Sequence, residues 1–252
     1  MILPSLVGGY VTLAVGFSEC PAELVARECV ELLNDSHFKE GWNEPFFELR
    51  RPRWSSFREM LFAMEPHIPL TRYAFVPVGD GWTVCFDNGQ SGGGWQWRAG
   101  RGVAACCVPN KTEGIWAARM FAGFDPAVGR SRCVHVFQDG KQWEFWQDGE
   151  PYDFEEVEAY SLRIKGDRLT PERLYRYLDA FGAPYQVEPS WPDAWLGEMR
   201  GGEADLRAIW RRTNPGRADF MYYGLGRNYP EWRRGHPAWD KFPPGSWVAG
   251  NR

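Results

Sequence analysis

The stretch Arg72 to Asp87, RYAFVPVGDGWTVCFD, limits the fold more than any other part of the chain. With Gly79-Asp80-Gly81 as a three-residue loop, Ala74, Val76, Val78, Trp82, Val84 and Phe86 share one face. Period-two alternation around a glycine loop describes an antiparallel hairpin with one buried side. An isolated hairpin is marginal in water, so more strands must flank it. Val11–Phe17, Gly102–Val108, Gly114–Phe121, Arg130–Gln147 and Ala159–Lys165 supply the candidates. Ala117 to Met120 within the third of these also suits a helix.

Arg130–Gln147 reads as a second hairpin, with Asp139-Gly140 as a two-residue turn and Gln138 opposite Lys141. Val134, Val136, Trp143 and Phe145 then face the core. Cys133, His135, Phe137, Glu144 and Trp146 take the other face, with His135 opposite Glu144 and Cys133 opposite Trp146. That mixture calls for a covering helix or a covering partner.

Two helices stand out. One follows Ser18 as N-cap, covers Pro21–Leu33, and lays Leu24, Val25, Cys29, Leu32 and Leu33 along a stripe. The other covers Pro171–Phe181, with Thr170 as N-cap, Pro171 at the first helical position and Gly182 just beyond the end. Phe38–Pro69 is irregular apart from a short helix around Ser55–Met64. From Pro189 the texture turns to Gly, Pro, Arg and aromatics, with one short helix at Glu203–Arg212. The expected fold is α+β: a mostly antiparallel twisted sheet of about five to seven strands with two main helices. Residues 1–188 form the core domain, and 189–252 an irregular aromatic and Arg-rich appendage packed on it.

Charge narrows the class of partner. A net charge of -4 argues against nonspecific nucleic-acid coating. Ten Lys and Arg face six Asp and Glu from Glu198 onward, a local +4, which leaves -8 on residues 1–197. The six cysteines lack C-x-x-C spacing and scaffold density, as in a reduced, cytoplasmic protein. The apolar N-terminus has no Lys or Arg before Arg27 and is broken by Pro4, so neither a signal peptide nor a membrane span is expected.

Catalytic motifs fail on context. Gly89-Gln90-Ser91-Gly92-Gly93 fits G-x-S-x-G, but glycine and Trp95-Gln96-Trp97 follow where a nucleophile elbow needs a helix. Gly100 to Ala105 fits G-x-G-x-x-A without the strand before it and helix after it that a dinucleotide requires. Cys133, His135 and Glu144 share a face, yet a fourth ligand and motif spacing are missing. No catalytic residue, metal or cofactor is assigned. Two alternatives are retained: a serine-dependent hydrolase using Ser91, and a carbohydrate-binding module using Trp95, Trp97 or Trp146.

Eight carboxylates stand against Lys141 alone between Asp139 and Tyr160, a local -7, interleaved with aromatics. Rings supply contact area at low entropic cost and charges steer a partner. The candidate partner-binding residues are therefore Asp139, Glu144, Trp146, Asp148, Glu150, Tyr152, Asp153, Glu155 and Glu156. The passages RYAFVPVGDGWTVCFDNGQSGG, RCVHVFQDGKQWEFWQDGEPYDFEE and LTPERLYRYLDAFG together resemble bacterial immunity-like proteins encoded beside polymorphic or contact-delivered toxins. The resemblance implies a cytoplasmic α+β inhibitor, not an enzyme, that binds and neutralises a cognate toxin protein.

Overall fold

The structure is a computed structural model that describes residues 14–39, 47–54, 60, 72–87, 99–108 and 117–199. The elements run β1 (Ala14–Ser18), α1 (Ala22–Lys39), β2 (Phe47–Arg50), β3 (Arg72–Val78), β4 (Trp82–Asp87) and β5 (Gly102–Val108). Then come β6 (Ala118–Asp125), β7 (Arg130–Asp139), β8 (Gln142–Asp148), α2 (Pro171–Phe181) and β9 (Trp195–Met199). The fold is α+β, as the periodicities predict. Among the described residues its sheet has nine strands, however, in the order β2-β9-β3-β4-β1-β5-β6-β7-β8, rather than five to seven. Every described pair is antiparallel.

The first hairpin keeps the predicted register, with Val78 opposite Trp82, Val76 opposite Val84 and Ala74 opposite Phe86. Both of its faces are buried, though, because the sheet is covered on two sides. Tyr73, Phe75 and Cys85 meet Val25, Ala26, Cys29 and Val30 of α1. Ala74, Val76 and Phe86 share the opposite core with Leu174, Tyr177, Leu178 and Phe181 of α2. Helix α1 lies over β2, β3, β4 and β9, and α2 over β5 and β6.

The ends of α1 differ from expectation. Ser18 is the last residue of β1, and its hydroxyl donates to the Ala99 carbonyl at 2.6 Å, so it caps no helix. The helix continues past Asn34, whose side chain is tied to the Phe47 backbone of β2 through both its oxygen and its nitrogen. Leu24 falls off the buried stripe and is 46% exposed. Helix α2 matches its caps: Thr170 Oγ1 accepts from Arg173 N at 3.3 Å, and Gly182 takes the left-handed conformation at φ 83°.

Two further expectations are corrected. Ala159–Lys165 is no strand but part of two 3₁₀ turns, Val157–Ser161 and Lys165–Asp167. Leu162 and Ile164 are exposed there, while Gly166 lies so close to Trp143 that a Cβ would stand 3.1 Å from the indole. The segment from Pro189 is not wholly an appendage, because β9 is an interior strand between β2 and β3. Glu198 anchors it, 2.5 Å from Arg72 of β3 and 2.7 Å from Arg50 of β2. Burial lowers Arg72 to about 10 despite that carboxylate. Gly102–Val108 is strand β5, as expected, so no helix follows Gly100 and Gly102. The proposed short helices at Ser55–Met64 and Glu203–Arg212 lie outside the described residues, save Met60. Among the described residues no helix is long and apolar enough to cross a membrane.

Candidate interaction surface on the β6–β8 end of the sheet

The second hairpin turns one residue later than predicted. Gly140, at φ 59°, and Lys141 form the turn, and Asp139 pairs with Gln142. A turn that places glycine first accommodates the positive φ without a Cβ penalty. The register therefore moves by two residues: Phe137 faces Glu144, His135 faces Trp146 and Cys133 faces Asp148. A shift of two leaves each side chain on its predicted face. Val134 and Val136 are fully buried, with Trp143 and Phe145 packed on the same core.

The opposite face of this end carries Met120 and Phe124 from β6, Cys133, His135 and Phe137 from β7, and Glu144, Trp146 and Asp148 from β8. Most of these are half-buried, and Trp146 is 51% exposed. His135 packs against Phe137 with the rings tilted by 35° and their centroids 4.9 Å apart, and burial lowers its pKa. Burial also pushes the Cys133 thiol up to about 11. Cys133, His135 and Glu144 do not converge, and no three His, Cys, Asp or Glu among the described residues are placed to share a metal ion.

The acidic ribbon divides into a buried part and an exposed part. Glu155 lies inside, its side chain fully covered, and the Arg132 guanidinium meets it from β7 at 2.8 Å. Arg132 Nε donates to both Glu155 oxygens at 3.0 Å, and its Nη atoms donate to Gln147 Oε1 and the Gly149 carbonyl. Tyr160 donates to Glu155 at 2.6 Å, and the Tyr152 N–H donates to it at 2.8 Å. With the Tyr160 proton so engaged, the Tyr177 hydroxyl 3.1 Å away donates to Tyr160 and accepts from Glu156 N–H. Burial opposes the Arg132 charge, but Glu155 outweighs it, and Arg132 sits above the usual arginine value. Burial likewise pushes Tyr160 upward.

Tyr152 is half-buried, stacked on Phe154 at 5.1 Å and edge-on to Phe121 and Phe181. Tyr152 and Glu155 thus hold the segment after β8 onto the sheet, a role that local charge counting misses because Arg132 is distant in sequence. Glu156 pairs with Arg173 and Arg176, and the Arg176 hydrogen bond foremost holds its carboxyl below the usual range. Glu144 pairs with Lys165. Asp139, Asp148, Glu150, Asp153 and Glu158 are exposed, and none is in an ion pair among the described residues.

No family model, curated protein or solved structure matches this chain. Ser91, Trp95 and Trp97 lie outside the described residues, as do residues 200–252. A pocket lined by Phe17, Ser18, Ala99, Gly100 and Gly102 has a volume of 20 Å³, space for about one water molecule.

Proposed function

We propose that the chain is a non-catalytic, cytoplasmic inhibitor, an immunity protein that binds and neutralises a cognate bacterial toxin through its acidic-aromatic surface. The observation that carries this reading is Trp146, half exposed between Glu144 and Asp148 on one strand face. The exposed carboxylates Asp139, Asp148, Glu150 and Asp153 stand along the same strand and its two ends. Aromatic anchors within a charged rim are the anatomy of tight protein interfaces, and a pleated sheet presents them without an ordering cost. The sign of the charge selects a basic partner surface.

The test is co-expression with the product of the adjacent open reading frame. That product alone should arrest growth, and this chain should restore it and form a stable complex. Reversing Asp139, Asp148, Glu150 and Asp153 to lysine together should abolish protection while the protein remains folded. Glu155 is kept, since its reversal would set two cations together in the core. Full protection by the reversed variant, or a neighbour that does not arrest growth, would sink the reading.

A further inference from the structure

We infer that the outer edge of β8 is a strand-addition site for an extended basic segment of the protein partner, a proposal that rests on the partner-binding reading above. Among the described residues strand β8 ends the sheet; it spans Gln142–Asp148 and contains no proline. In a hairpin closed by a two-residue turn, the flanking Asp139 and Gln142 form a hydrogen-bonded pair, and such pairs alternate along the ladder. Phe137–Glu144 and His135–Trp146 are therefore bonded pairs, while Gln138–Trp143, Val136–Phe145 and Val134–Gln147 are not. The Gln138 N–H fits this phase, because it turns away from β8 and donates to Ala117 O on the other side at 2.9 Å. Trp143, Phe145 and Gln147 accordingly direct their N–H and C=O groups outward. Among the described residues, none of those backbone groups has a hydrogen-bond partner.

A long open edge is a template for pairing, and proteins guard such edges with charge. Here the guard is a strap. Gly166 lies against Trp143 on the core face, whereas Glu144 projects from the opposite face, so the Lys165–Glu144 pair passes around the β8 edge. A second copy fits the edge poorly, since it would bring two acidic ribbons together. An incoming cation can instead replace Lys165 at Glu144. An antiparallel segment with basic residues opposite Glu144 and Asp148 and an apolar residue opposite Trp146 matches this row.

The probe is the acetylated, amidated peptide Thr-Lys-Thr-Val-Thr-Lys-Thr, observed by amide hydrogen exchange and chemical-shift titration on the full chain. At saturation, exchange at Trp143, Phe145 and Gln147 should slow about tenfold. N-methylation of the threonine amides, which point at β8 in this register, should weaken binding at least about tenfold, while methylation of the lysine and valine amides should not. Lys165→Ala should tighten binding about threefold by freeing Glu144. Equal binding by the threonine-methylated peptide overturns strand addition. The acidic-surface reading would then stand or fall separately, on whether the charge-reversed variant loses growth protection. Protection of these three amides in the peptide-free protein also overturns the assignment. If it grows with protein concentration, a second copy occupies the edge; if not, another segment of this chain does.

Discussion

Arg132 and Glu155 meet 2.8 Å apart with side chains 1% and 0% exposed, joining the middle of the sheet's far end to the segment that follows β8. Breaking a buried pair strands the remaining charge, which costs about 3–5 kcal/mol. Glu155→Leu should therefore lower the urea midpoint sharply, as should Arg132→Met, whereas the two changes together should recover most of the loss. A double-mutant cycle in urea checks this, and an additive cycle would show that the two groups do not depend on each other.

Two tryptophans on one strand should behave oppositely. Trp143 lies beneath Arg119, whose guanidinium is 4.5 Å from the ring centroid, and against Gly166. Trp143→Ala should cost about 2–4 kcal/mol. Trp146 is half exposed on the other face, so Trp146→Ala should stay within about 1 kcal/mol of the parent while removing partner binding. Thermal melts and binding on the same samples separate the two effects.

Gly149 should be the least replaceable of the left-handed glycines. Its φ is 78°, and a Cβ would stand 2.0 Å from the Ser131 carbonyl oxygen. Gly129, at φ 63°, has open space around it. Gly129→Ala should cost about 1–2 kcal/mol from backbone strain alone. Gly149→Ala must also displace backbone and should cost at least about 3 kcal/mol. Equal losses for the two in chemical denaturation would contradict the close approach to Ser131.

Acid should weaken the fold in two steps. Burial lowers the His135 pKa, so its contribution is full above the ordinary histidine value, about 6.5, and is lost as pH falls through the lower folded value. Glu144, Trp146 and Asp148 face it from β8. The Glu156 carboxyl, held down by Arg176 and Arg173, contributes above the ordinary glutamate value and is lost further into acid. Urea midpoints across pH should fall in that order. His135→Phe should flatten the upper step and Glu156→Gln the lower one.

Local rules were enough for the parts of this molecule whose partners are near in sequence. The β3–β4 hairpin and helix α2, with its Thr170 cap and Gly182 terminus, follow from alternation and capping alone. The β7–β8 faces were legible too, but not the register, because Asp139-Gly140 and Gly140-Lys141 are both chemically acceptable turns. Strands β2 and β9 were not legible. They are four and five residues long, and their pairing rests on Arg50 and Arg72 meeting Glu198 across most of the chain. The acidic ribbon misled for the same reason. A local charge sum cannot reveal that Arg132 draws Glu155 inward, or that Arg173 and Arg176 claim Glu156.

The position of β9 also sets a schedule for synthesis. Its insertion between β2 and β3 leaves β2 without a strand neighbour, among the described residues, until Trp195–Met199 has been translated. At about 5–20 residues per second that wait is roughly seven to thirty seconds. Meanwhile the nascent chain can zip β3 to β4 and seat β1 beside them before Glu198 is there to meet Arg72. Chaperone demand should therefore peak during this interval and end when the late strand slots into its gap.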